Sequence, residues 1–134
     1  MLVYGCCNPA GEEDSHRGVY LRKSDLSEIV STNSLINLPV RVEHSREDVG
    51  HIVSAWKNGE RLDCVLKIND NNIDGVFAQQ FVQNGLCPEL SLSYSVVMEN
   101  SKEGLKGEKK ELIEVSLVRR GARPNCSIHG FSRK

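Results

Sequence analysis

In residues 50–68, GHIVSAWKNGERLDCVLKI, two apolar runs rich in β-branched residues, Gly50 to Lys57 and Arg61 to Ile68, flank the dipeptide Asn58-Gly59. A two-residue hairpin turn needs left-handed backbone at both central positions. Asn and Gly adopt it most readily, so the stretch predicts two antiparallel strands. Upstream, Val40 to His44 alternates after Pro39, and Ser24 is placed to cap a helix in which Leu26, Ile29 and Val30 share a narrow apolar stripe. Met1 to Cys7 reads as a further strand. Asn8 to Ser15 is a polar connection containing Pro9 and Gly11, and it leads to a short strand near Gly18 to Leu21.

Downstream, Ile73, Val76, Phe77 and Phe81 define the apolar face of a helix expected from Asn72 to Asn84, ended by Gly85. Leu90 to Val97 alternates apolar residues with Ser91, Ser93 and Ser95, as a strand does. Glu99 to Lys110, rich in Lys, Glu and Gly, reads as an exposed loop, and Leu112 to Val118 and Cys126 to Phe131 as the last strands. About seven strands with one or two helices predict a mostly β fold, a compact closed or partly closed β-barrel with peripheral helices, because closure removes exposed sheet edges.

The bulk composition narrows the classes. A chain of 134 residues fits a single domain spanning 1–134, and 39% hydrophobic with 26% charged residues is ordinary for a globular protein. A net charge of −1 gives no global attraction to nucleic acid, although Arg119, Arg120 and Arg123 form one basic cluster. Five cysteines without Cys-x-x-Cys spacing indicate free thiols in a reducing compartment rather than a disulfide framework or zinc ribbon. The start MLVYGCC has neither a basic region nor a long apolar core, so no leader and no membrane partner are expected and the protein is expected to stay inside the cell.

Three stretches carry the chemistry: LPVRVEHSREDVGHIVSAW, PELSLSYS and LIEVSLVRRGARPN. They supply an imidazole, hydroxyls, a carboxylate and arginines, the groups that acyl transfer needs as base, nucleophile, orienting acid and oxyanion donors. Taken alone, a His at a strand end is more often structural than catalytic, a row of serines is usually a polar face, and an Arg cluster is usually solvated. Periodicity does not choose among Ser91, Ser93 and Ser95.

The three stretches together resemble the herpesvirus capsid maturation proteases, the assemblins. The first is similar to their Pro-led strand ending in the catalytic His and followed by Gly-His-Val. PELSLSYS is similar to their Gly-Leu-Ser-Leu-Ser-Ser strand, and EVSLVRRGAR to their final strand and Gly-Arg turn. EVSLV also resembles the Glu-(Ile/Val)-Ser-Leu-Val run of tailed-phage prohead proteases. The resemblance implies an assemblin-like β-barrel and a serine endopeptidase without cofactor or metal. In it His44 is the base and Ser91 the nucleophile. Glu114 stands where assemblins carry a second His and prohead proteases an acid. Ala122 N–H and Arg123 serve the oxyanion. Ser93, His51 and Gly121 are then near-site residues, and His129 is the reserve third member of the triad.

The substrate so implied is a capsid scaffolding protein, and the enzyme's own precursor, with a homodimer as a further partner. The compartment is the host nucleus for a herpesvirus-like enzyme and the bacterial cytoplasm for a phage-like one. Assemblins are considerably longer, so the difference falls on helices and loops, including those of their dimer. Three rival readings follow from the residues. One is a catalytically inactive β-barrel module that binds in capsid assembly, distinguished by failure to react with a serine-directed probe. The others are a metal site built from His44, His51, Glu43 and a cysteine, and a Cys87 nucleophile.

Overall fold

The computed structural model describes residues 1–11, 19–100, 106–123 and 126–132, with side chains at 98–100 and 106–108 left undescribed. In chain order the elements are β1 (Leu2–Pro9), α1 (Lys23–Ser31), β2 (Pro39–Val42), β3 (Gly50–Asn58), β4 (Arg61–Ile68), α2 (Ile73–Gln83), β5 (Glu89–Asn100), β6 (Lys106–Val118) and β7 (Ile128–Ser132). The strands form one sheet in the order β5-β6-β2-β3-β4-β1-β7. The expected hairpin joins β3 and β4 in antiparallel register, but its turn falls one residue later than Asn58-Gly59: Asn58 pairs with Arg61, so Gly59, at φ +62°, and Glu60 are the central residues.

The sheet curls into a half-barrel whose two edges meet at one end. Leu90 N–H donates to Cys126 O at 2.7 Å, Ile128 N–H donates to Pro88 O at 2.9 Å, and Glu89 bridges Ser127. Inside lie Val3, Val40, Ile52, Leu62, Leu66, Leu90, Leu92, Val115 and Leu117, all buried. Burying such side chains contributes roughly 1.5–3 kcal/mol each. The five cysteines are free and buried. Cys6 and Cys126 share a hydrogen bond that lowers the Cys6 thiol's pKa and, reinforced by burial, raises that of Cys126.

Parallel pairing between β2 and β6 positions the site. Val40 pairs with Val115, Arg41 with Ser116 and Val42 with Leu117, so both strands run out at the same end of the sheet. β5 is antiparallel to β6, so its first residues arrive at that end too: Ser91 lies opposite Ser116 and Ser93 opposite Glu114. Period-two alternation sends Leu90, Leu92, Val115 and Leu117 into the core and puts Ser91, Ser93, Glu114 and Ser116 together on the other face. A bulge follows immediately. Tyr94 pairs with Leu112, so Ile113 is the extra residue and is exposed, while Leu112 packs against the core.

Several local expectations are corrected. The first helix begins one residue before Ser24. Its N-cap is Arg22, whose N–H donates to Asp25 Oδ2 at 2.7 Å, and Ser24 lies within the first turn. In α2 the buried face is Gly75, Ala78 and Val82, whereas Ile73, Val76 and Phe77 are exposed. The reason is close approach: a Cβ on Gly75 would stand 2.4 Å from Asn69 O, so small residues rather than bulky ones turn inward. Leu21 makes an isolated bridge to Ala10, not a strand, and Gly18 lies outside the described residues. Much of the expected 99–110 loop is hairpin instead, with pairing continuing to Asn100 opposite Lys106; residues 101–105 lie outside the description.

Candidate active site

β2 ends at Val42, and the next two residues both take left-handed backbone, Glu43 at φ 50° and His44 at φ 57°. Each such non-glycine residue costs on the order of 1–3 kcal/mol and persists only where its surroundings over-determine it. Here they do. Glu43 N–H donates to Leu117 O at 3.0 Å, His44 N–H to Ser116 Oγ at 3.0 Å, and Ser45 N–H to Val42 O at 3.0 Å. The turn folds His44 back over β6. Its Nδ1 lies 2.5 Å from Glu114 Oε1. A carboxylate can only accept, so Nδ1 carries the proton and Nε2 is left with a lone pair, the state a general base requires.

Glu114 is 4% exposed and His44 46%, so a buried carboxylate underlies a half-open imidazole. Two further contacts compensate the carboxylate's burial. Ser93 Oγ donates to Oε1 at 2.8 Å and Ser116 Oγ to Oε2 at 2.6 Å, and Ser93 Oγ also stands 3.2 Å from His44 Nδ1. A buried charge is tolerated only with such full hydrogen bonding.

His44, Ser91 and Ser93 line one cavity of about 310 Å³, with Ala122 and Arg123 on its other side. Ser91 is buried, yet its hydroxyl makes no hydrogen bond to a described residue, which distinguishes it from Ser93. The segment after β6 is anchored by carboxylates: Arg119 N–H donates to Glu43 Oε1 and Gly121 N–H to Glu89 Oε1, each at 2.6 Å. A Cβ at Gly121 would meet Leu90 O at 3.1 Å, so glycine lets this turn lie against β5. Arg123 Nη2 donates to Tyr94 OH at 2.8 Å and Val19 O at 3.1 Å, and the guanidinium lies 5.2 Å from the Tyr94 ring centroid. Its buried Nε has no partner among the described residues. Burial of Tyr94 pushes its phenol pKa up, so it stays a neutral acceptor for the guanidinium.

Of the residues singled out in the sequence, His44, Ser91, Ser93, Glu114, Gly121, Ala122 and Arg123 come together. His51 and His129 do not. His51 sits on β3 opposite Pro39 and Lys67, and His129 on β7 packs edge-on against Tyr4 at 4.9 Å. Cys87 lies in a separate groove with Phe81 and Leu86, and burial raises its thiol pKa. Among the described residues no three His, Cys, Asp or Glu side chains are arranged to hold a metal. Sequence reading missed Ser116, Glu89 and Tyr94, and weighed Glu43 only as a metal ligand. The only signal for Ser116 was its place two residues after Glu114, on the same strand face.

The curled sheet with two helices is an assemblin-like fold. It is similar to the protease of Kaposi's sarcoma-associated herpesvirus bound to a hexapeptide phosphonate inhibitor, at TM-score 0.66 and 17% identity, covering 98% of this chain and 65% of that one. The chain thus spans less than two thirds of that protease's length. The same viral protease bound to an allosteric inhibitor aligns at TM-score 0.57 and 16% identity, over 96% of this chain and 75% of that chain. Bound to a dimer disruptor it aligns at TM-score 0.55 and 16% identity, over 95% and 73% respectively. No protein-family model matches the chain. The search of curated proteins found no match either.

Proposed function

We propose that the protein is a serine endopeptidase of the assemblin and prohead type, with Ser91 as nucleophile, His44 as base and Glu114 as orienting acid. The observation that carries this reading is the His44 Nδ1 to Glu114 contact at one cavity wall, with two serines and Arg123 around the same cavity. His44 Nε2 takes the Ser91 proton as Oγ attacks a peptide carbonyl. The acyl-enzyme forms, the amine leaves with that proton, and water completes hydrolysis. Ala122 N–H and Arg123 stabilise the oxyanion, an effect of roughly 3 kcal/mol per donor.

The substrate in this reading is a capsid scaffolding protein, and the enzyme's own precursor. The viral proteases of similar fold are targets of dimer disruptors, and the exposed apolar residues Ile73, Phe77 and Leu86 support a homodimer for this chain as well.

Treatment with a peptidyl phosphonate, followed by mass mapping, tests the assignment. Label on Ser91, abolished by Ser91→Ala with the fold retained, is expected, and a fully active Ser91→Ala protein sinks it. Label on Ser93 instead would move the nucleophile by two residues. A folded protein that takes no label is the inactive binding module instead.

A further inference from the structure

We infer that Ser116 is a positioning residue that locks the backbone and the ring of His44 onto a single carboxylate. The inference rests on the endopeptidase reading for its kinetic consequence only. Ser116 is fully buried, and its one hydroxyl makes two contacts. It accepts the His44 backbone N–H at 3.0 Å and lies 2.6 Å from Glu114 Oε2. The amide can only donate and the carboxylate can only accept, so the hydroxyl proton must point at Glu114 and the rotor has one setting.

These bonds close a ring. It runs from the His44 amide through the Ser116 hydroxyl to Glu114 Oε2, across the carboxylate to Oε1, and back to Nδ1 of the same His44. Because both carboxylate oxygens are engaged, Glu114 cannot rotate without breaking the ring. The imidazole cannot swing without pulling on an oxygen that also holds its own backbone. The same bond to the amide helps keep His44 in its left-handed conformation. An apolar residue at 116 would take this partner from the His44 N–H and free one carboxylate oxygen, losing both constraints at once.

Ser116→Ala and Ser116→Thr separate positioning from mere packing. For Ser116→Ala, kcat should fall about 10- to 100-fold while KM changes less than about threefold, the split expected when a reacting group is misplaced but the substrate site is intact. Ser116→Thr, which restores the hydroxyl, should recover most of the loss. The far-downfield proton resonance of His44 Nδ1–H, assigned by its disappearance in His44→Ala, should move upfield or broaden in Ser116→Ala and return in Ser116→Thr.

If Ser116→Ala does not fold, Ser116→Cys, close in volume but a weak hydrogen-bonding group, should show the same change in the resonance. An unchanged resonance in a folded Ala or Cys variant overturns the inference, as does a loss carried by KM with kcat intact. The resonance needs no turnover. A wild-type protein that shows it, loses it in Ser116→Ala, yet takes no phosphonate would refute the endopeptidase reading and leave the positioning role standing.

Discussion

At the scale of single residues, the site depends on a carboxylate that is costly to bury and on two residues held in a backbone conformation they do not prefer. Glu114 meets three polar partners, His44, Ser93 and Ser116, and its carboxylate faces His44 directly. Replacing it by Gln keeps the shape and removes the charge that, in the proposed mechanism, stabilises an imidazolium in the transition state. Glu114→Gln should lower kcat on the order of 1,000-fold or more, measured by single-turnover acylation with a chromogenic ester. Ser93→Ala removes one neutral donor among several and should cost less than about tenfold in the same assay. The functional groups themselves were legible in the chain, because histidine, serine and glutamate announce their chemistry by type. The left-handed pair Glu43-His44 was not, since neither residue is glycine or asparagine and only the contacts made after folding hold them there.

At the scale of elements, α2 shows how a close approach overrides bulk hydrophobicity. Gly75→Ala places a methyl 2.4 Å from Asn69 O, and it should destabilise by about 1–3 kcal/mol as an overpacking change, read as a lower denaturant midpoint at constant m-value. Val76→Ala on the exposed face should change stability by no more than about 0.5 kcal/mol in the same measurement. That contrast inverts the expectation from helical spacing, which counted large apolar residues and gave no weight to glycine and alanine. The β3–β4 hairpin was readable because its information is local, a glycine turn between two neighbouring strands, although the turn centres on Gly59-Glu60. The parallel β2–β6 pairing was not readable by the same means. Its partners are 75 residues apart in the chain, and nothing in either strand names the other. The bulge at Ile113 lies in the same category: it lets Glu114 face the site and Leu112 the core, although strict alternation would set them on one face.

At the scale of the whole molecule, the two sheet edges are joined, among the described residues, near Glu89 and Ser127, and the chain between β6 and that join carries Gly121, Ala122 and Arg123. The candidate oxyanion donors therefore sit on a span tied down at both ends, by the Glu43 and Glu89 carboxylates on one side and by the Leu90 and Ile128 amides on the other. All five thiols are buried within this fold. In native protein an aromatic disulfide reagent should react with fewer than one equivalent of thiol over the time in which urea-unfolded protein titrates all five. Prompt titration of several thiols in the native state would contradict the burial. There is a harsher corollary. A molecule that opens transiently in an oxidising medium exposes its sulfurs together, and a bulky adduct on any one of them would not fit back into the interior. Storage without reductant would then deplete the folded population at the pace of spontaneous opening, leaving a mixture of intact and permanently derailed chains rather than a uniformly weakened protein.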